Sequence, residues 1–320
     1  MPANLPPEYY EAEKKFKEAP PGPAKVAALE ELIATVPKHK GTDKLRADLR
    51  RRLSKLRDDA QKRKKGGRGD LYTVPKEGAA QVALAGFANS GKSSVLAALT
   101  NAKPVVADYP VSTVMPLQGM MPYEDIQLQL VDLPPLGNES TDGWVSGILR
   151  VADVLLLVID LADAPDLQAE LLVGQLGEWN IHLYEGAEGG VTKKALFAAN
   201  KSDLPGAAEG LRSLREKYPD IPATGISTTA GQGLEELRRT LFDRAGIVRA
   251  YTKEPGKDPD MGTPFTMPVG STVIDLAQTV HKDFASGLKY ACIWGSSKFP
   301  GQRVQRDYEL RDGDVVELHI

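Results

Sequence analysis

The chain has 320 residues, 42% of them hydrophobic and 26% charged, enough apolar side chains to bury a core in each of two or three domains. A formal net charge of -3 gives no global argument for nucleic-acid binding, and a single cysteine, Cys292, excludes an internal disulfide and points to a reducing compartment. The N-terminus is polar and proline-rich without a signal-peptide core, and the longest apolar run, residues 154–159, is too short to span a bilayer, so a soluble cytoplasmic protein with no membrane partner is expected.

Residues 1–78 read as an N-terminal helical region. Pro20, Pro21, Gly22 and Pro23 separate a short charged helix (8–18) from a second helix (24–36), which Pro37 ends. Thr42 is placed to cap a third helix, whose Leu45, Leu49, Leu53 and Leu56 form one helical stripe. That stripe is expected to pack on Val26, Leu29 and Ile33 as a helical hairpin. A basic, glycine-rich run (61–69) follows, either a solvated linker or a segment that pairs with nucleic-acid phosphates.

From residue 79 to 249 short strands alternate with helices. Strands are predicted at 81–85, 126–131, 154–159, 195–199 and 222–226, and helices after Gly91 and at 166–178, 207–217 and 234–244. Valine-, leucine- and isoleucine-rich strands alternating with helices predict an α/β domain with a mostly parallel sheet covered on both faces. Residues 250–320 read as a third, β-rich unit: a polar connector (251–263), a strand (265–269), a capped helix (271–284) and short strands to Ile320. Cys292 lies in an apolar run and is expected to be a buried core thiol, and His39, His182, His281 and His319 show no metal-ligand spacing.

The strongest motif is Gly86-Phe87-Ala88-Asn89-Ser90-Gly91-Lys92-Ser93, which fits G-x-x-x-x-G-K-[ST], follows a predicted strand and opens a predicted helix. Its glycines let successive N–H groups and the helix start, including Ser90 and Ser94, face phosphate oxygens. Lys92 is expected to reach the β- and γ-phosphates, and the Ser93 hydroxyl to ligate Mg²⁺. Asp132 ends a predicted strand and is expected to act on Mg²⁺ through a bound water. Thr113, in the short stretch 109–113, is expected either to close over Mg²⁺ and the γ-phosphate or to be a plain turn residue. Asn200-Lys201-Ser202-Asp203 follows another strand. The Asp203 carboxylate suits the N1–H and exocyclic amine of guanine, a donor pair that adenine lacks; Lys201 lies along the base, and Asn200 ties this loop to the phosphate loop. At Ser227 and Thr228 a backbone N–H is expected to meet the guanine O6.

These motifs resemble the Obg family of GTPases, and most closely its DRG branch (developmentally regulated GTP-binding proteins). The carrying residues are 82–85 with the phosphate loop, 109–113, 132–135 and 200–203. Residues 250–253, 289–291, 293–295 and 302–304 are similar to the TGS domain of that branch, a ubiquitin-like β-grasp. The resemblance implies a Mg²⁺-dependent GTPase that turns GTP into GDP and phosphate, with Lys92 and Thr113 as catalytic residues. It also implies a slow molecular switch linked to ribosomes, RNA or translation. Pro135 replaces the usual glycine of this family's D-x-P-G and lacks an N–H for the γ-phosphate. The position that orients water in Ras-like proteins is Leu136, so acceleration is expected from an activating protein or from a cation. Several GTPases that lack the water-orienting glutamine carry asparagine at the Asn89 position and use potassium, and this sequence resembles them in both respects, so Asn89 either holds K⁺ or hydrogen-bonds within its loop. The segment between Asp160 and Asn200 is too short for the inserted domain of the eukaryotic DRG proteins. The alternative function is a GTP-gated binding module, whose TGS domain docks on protein or RNA and whose hydrolysis is incidental.

Overall fold

The computed structural model describes residues 12, 14–16, 23–36, 74–100, 115–137, 142–184 and 189–320. The chain forms two compact units, Met1–Thr73 and Val74–Ile320. In the first, helix α1 (Pro23–Thr35) buries Leu29 and Leu32 with Val36 and Ala12, and Phe16 and Ile33 pack against them. The predicted third helix with its leucine stripe, and the basic run 61–69, lie outside the described residues.

The second unit opens on a six-stranded sheet. Its elements in chain order are β1 (Ala80–Ala85), α2 (Lys92–Leu99), β2 (Leu117–Tyr123), β3 (Ile126–Asp132), α3 (Asp142–Val151), β4 (Val154–Asp160) and α4 (Pro165–Glu178). A two-stranded pair follows, β5 (Ile181–His182) with β6 (Val191–Thr192), then β7 (Lys194–Asn200), α5 (Ala207–Lys217), β8 (Ala223–Gly225) and α6 (Leu234–Ala245). The strand order is β2-β3-β1-β4-β7-β8, parallel throughout except for the β2–β3 hairpin. Every residue of β1 and β4 is buried, as expected for central strands covered on both faces. Val95, Leu99, Leu237 and Leu241 of α2 and α6 fill one face, while Leu149, Leu172 and Leu214 of α3, α4 and α5 fill the other.

Four elements of this domain escape the sequence reading: β2, α3 and the two-residue strands β5 and β6. β2 is an edge strand whose Gly119 and Pro122 break the apolar pattern, and its antiparallel partner is what makes it a strand. α3 carries two glycines, yet buries Val145, Ile148 and Leu149 on one helical face. The segment from Val74 also belongs to this unit: Val74 is in the core, and the Gln81 side chain donates to its carbonyl (3.2 Å) and to Gln129 (2.8 Å).

The second sheet comprises β9 (Ile247–Thr252), β10 (Phe265–Pro268), β11 (Tyr290–Trp294), β12 (Gln302–Val304) and β13 (Asp314–His319), in the order β10-β9-β13-β11-β12. Helices α7 (Val273–Val280) and α8 (Lys282–Gly287) belong to the same domain. β9 spans the 249/250 divide expected from sequence, and Gly246 alone, at φ 64°, joins it to α6. The single helix predicted at 271–284 is two, because His281 is extended and its ring accepts the Asp283 N–H; a capping box of Thr272 and Asp275 starts the first. Cys292 is half-buried rather than a core thiol: Ala291 and Ile293 point to the core, so strand alternation turns Cys292 to the other face.

Arg249 joins the two sheets. Its side chain, 11% exposed, forms a two-pronged pair with Asp312 (2.7 and 2.9 Å), bonds Asp125 at 2.7 Å and also reaches Glu124. Glu124 and Asp125 form the tip of the β2–β3 hairpin, and the Tyr251 hydroxyl donates to Asp125. Burial raises the Asp125 and Asp312 carboxyls, but hydrogen bonds from Tyr251 and Arg249 to Asp125, and from the side chain and backbone of Arg249 to Asp312, outweigh it and hold both below the ordinary carboxylate range. Burial, and then Asp125, push Tyr251 up to about 12. Arg249→Ala leaves these carboxylates without their cation and is expected to lower the unfolding free energy by about 3 kcal/mol in urea titrations. Carboxyls held low stabilise the fold above their unfolded pKa and lose that contribution on acidification. The deficit is therefore expected in full above about pH 4 and should shrink below it.

Candidate nucleotide site

Four parallel strands bring their carboxyl ends to one edge of the first sheet, where open α/β sheets bind ligands. β1 runs into Gly86, β3 ends in Asp132, β4 in Asp160 and β7 in Asn200. A Cβ on Gly86 would lie 2.6 Å from the Val158 carbonyl, so only glycine lets the loop leave the sheet here. Asn89 (φ 65°) and Gly91 (φ 94°) then turn the backbone left-handed. No side chain caps the start of α2, so its first N–H groups remain for a ligand.

Lys92 is buried, and its ammonium donates to the carbonyls of Gly86 (3.1 Å) and Phe87 (2.9 Å). Burial lowers its pKa, and the nearby Asp132 works against that shift. The Ser93 hydroxyl donates to Asp132 Oδ2 at 2.6 Å, whereas Asp132 Oδ1 is buried and has no hydrogen-bond partner among the described residues. Burial pushes the Asp132 carboxyl up, against the pull of Ser93 and Lys92. A buried, orphaned carboxylate oxygen beside a serine hydroxyl is a hard-oxygen donor set that suits Mg²⁺. Asn89, Lys92, Ser93, Met115, Asp132 and Pro135 line the cavity there. Ser94 is exposed on the first turn of α2, and the Asn89 amide has no hydrogen-bond partner among the described residues. Thr113 lies outside the described residues.

Asn200 joins the two halves of the site. Its Nδ2 donates to the Ser90 carbonyl (3.1 Å), and its Oδ1 accepts the Thr228 N–H (3.4 Å). Lys201, at φ 63°, sends its ammonium to Asp160, and Asp203 is exposed beside it. Ser227 departs from expectation. Its N–H donates to Gln232 (3.0 Å) and its hydroxyl accepts the Ala230 N–H (2.9 Å), so the amide left for a base oxygen is the loosely bonded one of Thr228. Leu136 is buried in the core, and its N–H donates to the Gly86 carbonyl at 3.2 Å. Asp160 is the residue that sequence reasoning missed; the only signal was its place at the end of an apolar strand.

In the second sheet, Cys292, Glu317 and His319 bring three potential ligand atoms within 4.8 Å of one another. The Lys253 ammonium already sits 2.7 Å from Glu317, which also bonds His319 at 2.7 Å, so the group is a satisfied ion-pair network that repels a metal cation.

Residues 81–201 match the family described as 50S ribosome-binding GTPase, and residues 248–320 match the TGS domain. A GTP-binding protein of Methanocaldococcus jannaschii is 30% identical, with 92% of each chain covered. The developmentally-regulated GTP-binding protein 2 homolog of Dictyostelium discoideum is 28% identical over 92% of this chain and 98% of its own. This chain belongs to the developmentally regulated GTP-binding protein (DRG) family. It is a GTP-binding protein of that type, with a P-loop GTPase domain followed by a TGS domain. A crystal structure of a GTP-binding protein from Pyrococcus horikoshii OT3 shares the fold, with a TM-score of 0.54 and 18% identity over 75% of this chain and 99% of that one.

As Asn200 holds both the phosphate loop and the Thr228 loop, Asn200→Ala is expected to destabilise the nucleotide-free protein by about 2 kcal/mol in chemical denaturation, through the buried Ser90 carbonyl and the half-buried Thr228 N–H left unpaired.

Proposed function

We propose that this family member hydrolyses GTP to GDP and phosphate with Mg²⁺ as cofactor, slowly on its own, and serves as a switch linked to ribosomes or RNA. The observation that carries the reading is the Asn200 bridge, which ties the loop of Lys201 and Asp203 to the phosphate loop of Lys92 and Ser93. On this reading Lys92 leaves the carbonyls of Gly86 and Phe87 for the β- and γ-phosphates, joined by the free amides at the start of α2. Ser93 and Thr113, with Asp132 through a bound water, would hold Mg²⁺, which would offset the charge on the phosphate oxygens. Asp203 and the Thr228 amide read the guanine. Support for a ribosomal partner is the family description that residues 81–201 match.

Asp203→Asn is expected to weaken GTP binding by about 10⁴-fold and to admit xanthosine triphosphate, whose acceptor replaces the guanine amine. Competition binding with GTP, ATP and XTP measures this. Equal wild-type affinity for ATP and GTP would overturn the guanine reading.

The described residues of the loop after Asp132, 133–137, offer little means of orienting an attacking water. Pro135 has no N–H, and Leu136 has its N–H on Gly86 and its side chain in the core. The same observation favours a second reading, a GTP-gated binding module with incidental hydrolysis. Asn89 separates the two. Its left-handed, exposed position leaves its amide oxygen available as a neutral ligand for K⁺ beside the phosphates. Single-turnover hydrolysis is expected to run several-fold faster in KCl than in NaCl at equal ionic strength. Asn89→Ala is expected to abolish that difference while leaving GTP binding largely intact. Equal rates in the two salts would remove the potassium assignment and leave a protein or RNA activator.

A further inference from the structure

Of the residues that close the four parallel strands, Gly86, Asp132 and Asn200 belong to recognised nucleotide motifs, whereas Asp160 belongs to none. It pairs in register with Asn200 on the neighbouring strand, and the Leu161 N–H donates to the Asn200 carbonyl at 3.0 Å. Asp160 is 8% exposed. Its Oδ1 accepts the Ala162 N–H (2.9 Å), and the Gln168 amide bonds its backbone N–H (3.1 Å) and carbonyl (3.3 Å). Gln168 thus fixes the backbone of Asp160 and the Ala162 N–H fixes one carboxylate oxygen, while the other, Oδ2, takes the ammonium of Lys201.

We propose that Asp160 is a positioning residue of the guanine subsite, holding the Lys201 ammonium at the strand end so that the lysine stem stands ready as a wall for the base. This rests on the guanine reading given above. A lysine side chain has many rotamers to lose on binding. A rigid, nearly buried carboxylate removes much of that loss before the ligand arrives, and so raises affinity through preorganisation. It also neutralises the ammonium, which lets the aliphatic stem face an apolar ring. Asp160 acts at the base end of the nucleotide, so its effect on GDP and on GTP is the same.

The test uses the full chain and fluorescence titration with the N-methylanthraniloyl derivatives of GDP and GTP. Asp160→Asn keeps an oxygen for Ala162 and turns an amide N–H toward Lys201. It is expected to weaken both nucleotides by one common factor of about ten. In a Lys201→Met background the same substitution is expected to change nothing further, because the interaction it breaks is already gone. Wild-type affinity in Asp160→Asn overturns the proposal. So does an undiminished factor in the Lys201→Met background, which marks a role in supporting the strand end alone. If Asp160→Asn does not fold, as read by thermal melting, Asp160→Ser is carried through the same cycle with the same expected and overturning results. A wild-type chain that binds neither nucleotide overturns the guanine subsite itself and is recognised before any variant is compared.

Discussion

The alignment of four carboxyl ends is the constraint on which the rest of this molecule depends. β1, β3, β4 and β7 lie parallel, with Leu84 beside Asp132 and Asp160 beside Asn200. Helices cover both faces of the sheet, so polar side chains find a place mainly where the strands stop. Lys92, Asp132, Asp160 and Asn200 all collect at that edge, and none is more than 8% exposed. Buried groups of this kind must be paired or prepare a ligand site. Asn200 and Asp160 are paired within the chain, whereas Asp132 keeps one oxygen without a partner among the described residues. That contrast divides the residues that build the site from one that has capacity left for a ligand.

The same strands carry the connection to the second sheet. β3 reaches Asp132 at one end, and its other end leaves the hairpin tip that Arg249 clamps. The arginine cannot shed its charge, so it demands acceptors wherever it is buried. Asp312 from its own domain and Glu124 with Asp125 from the hairpin supply them. Aromatic packing reinforces the joint: the guanidinium lies 5.1 Å from the Phe242 ring centre, and Phe242 stacks on Tyr123 at 4.8 Å. The one-residue link at Gly246 leaves little room for the sheets to part. β3 is therefore held at both ends, by the nucleotide edge and by the TGS domain.

The central strands and their helices were legible in the sequence because each is an apolar run long enough to name and short enough to be a strand. The phosphate loop and Asn200–Asp203 were legible because their spacing carries the chemistry. β2 was not, since an edge strand is defined by its partner, and Gly119 and Pro122 give no local signal for one. β9 was hidden because the domain divide at 249/250 cuts through it and its last two residues, Tyr251 and Thr252, read as the start of the connector 251–263. Cys292 was misjudged for a related reason: an apolar run says that a strand is present but not which of its faces each residue takes. The Asp160–Lys201 pair could not be read at all, because its members are 41 positions apart and meet only through strand register.

The Gly86 carbonyl brings the two halves of the phosphate region together. It accepts from the Lys92 ammonium and from the Leu136 N–H, one bond for each lone pair. The proline before Leu136 removes one amide from the loop that follows Asp132, and the Gly86 carbonyl occupies the next. A phosphate that draws Lys92 away takes one of these two bonds and leaves the other, so the loop after Asp132 stays anchored to the phosphate loop whatever Lys92 does. In such a loop the chain's own groups can hold a nucleotide more readily than they can order a water against it. That asymmetry is the physical reason for seeking the accelerating element beyond Pro135 and Leu136, at Asn89 or on a partner.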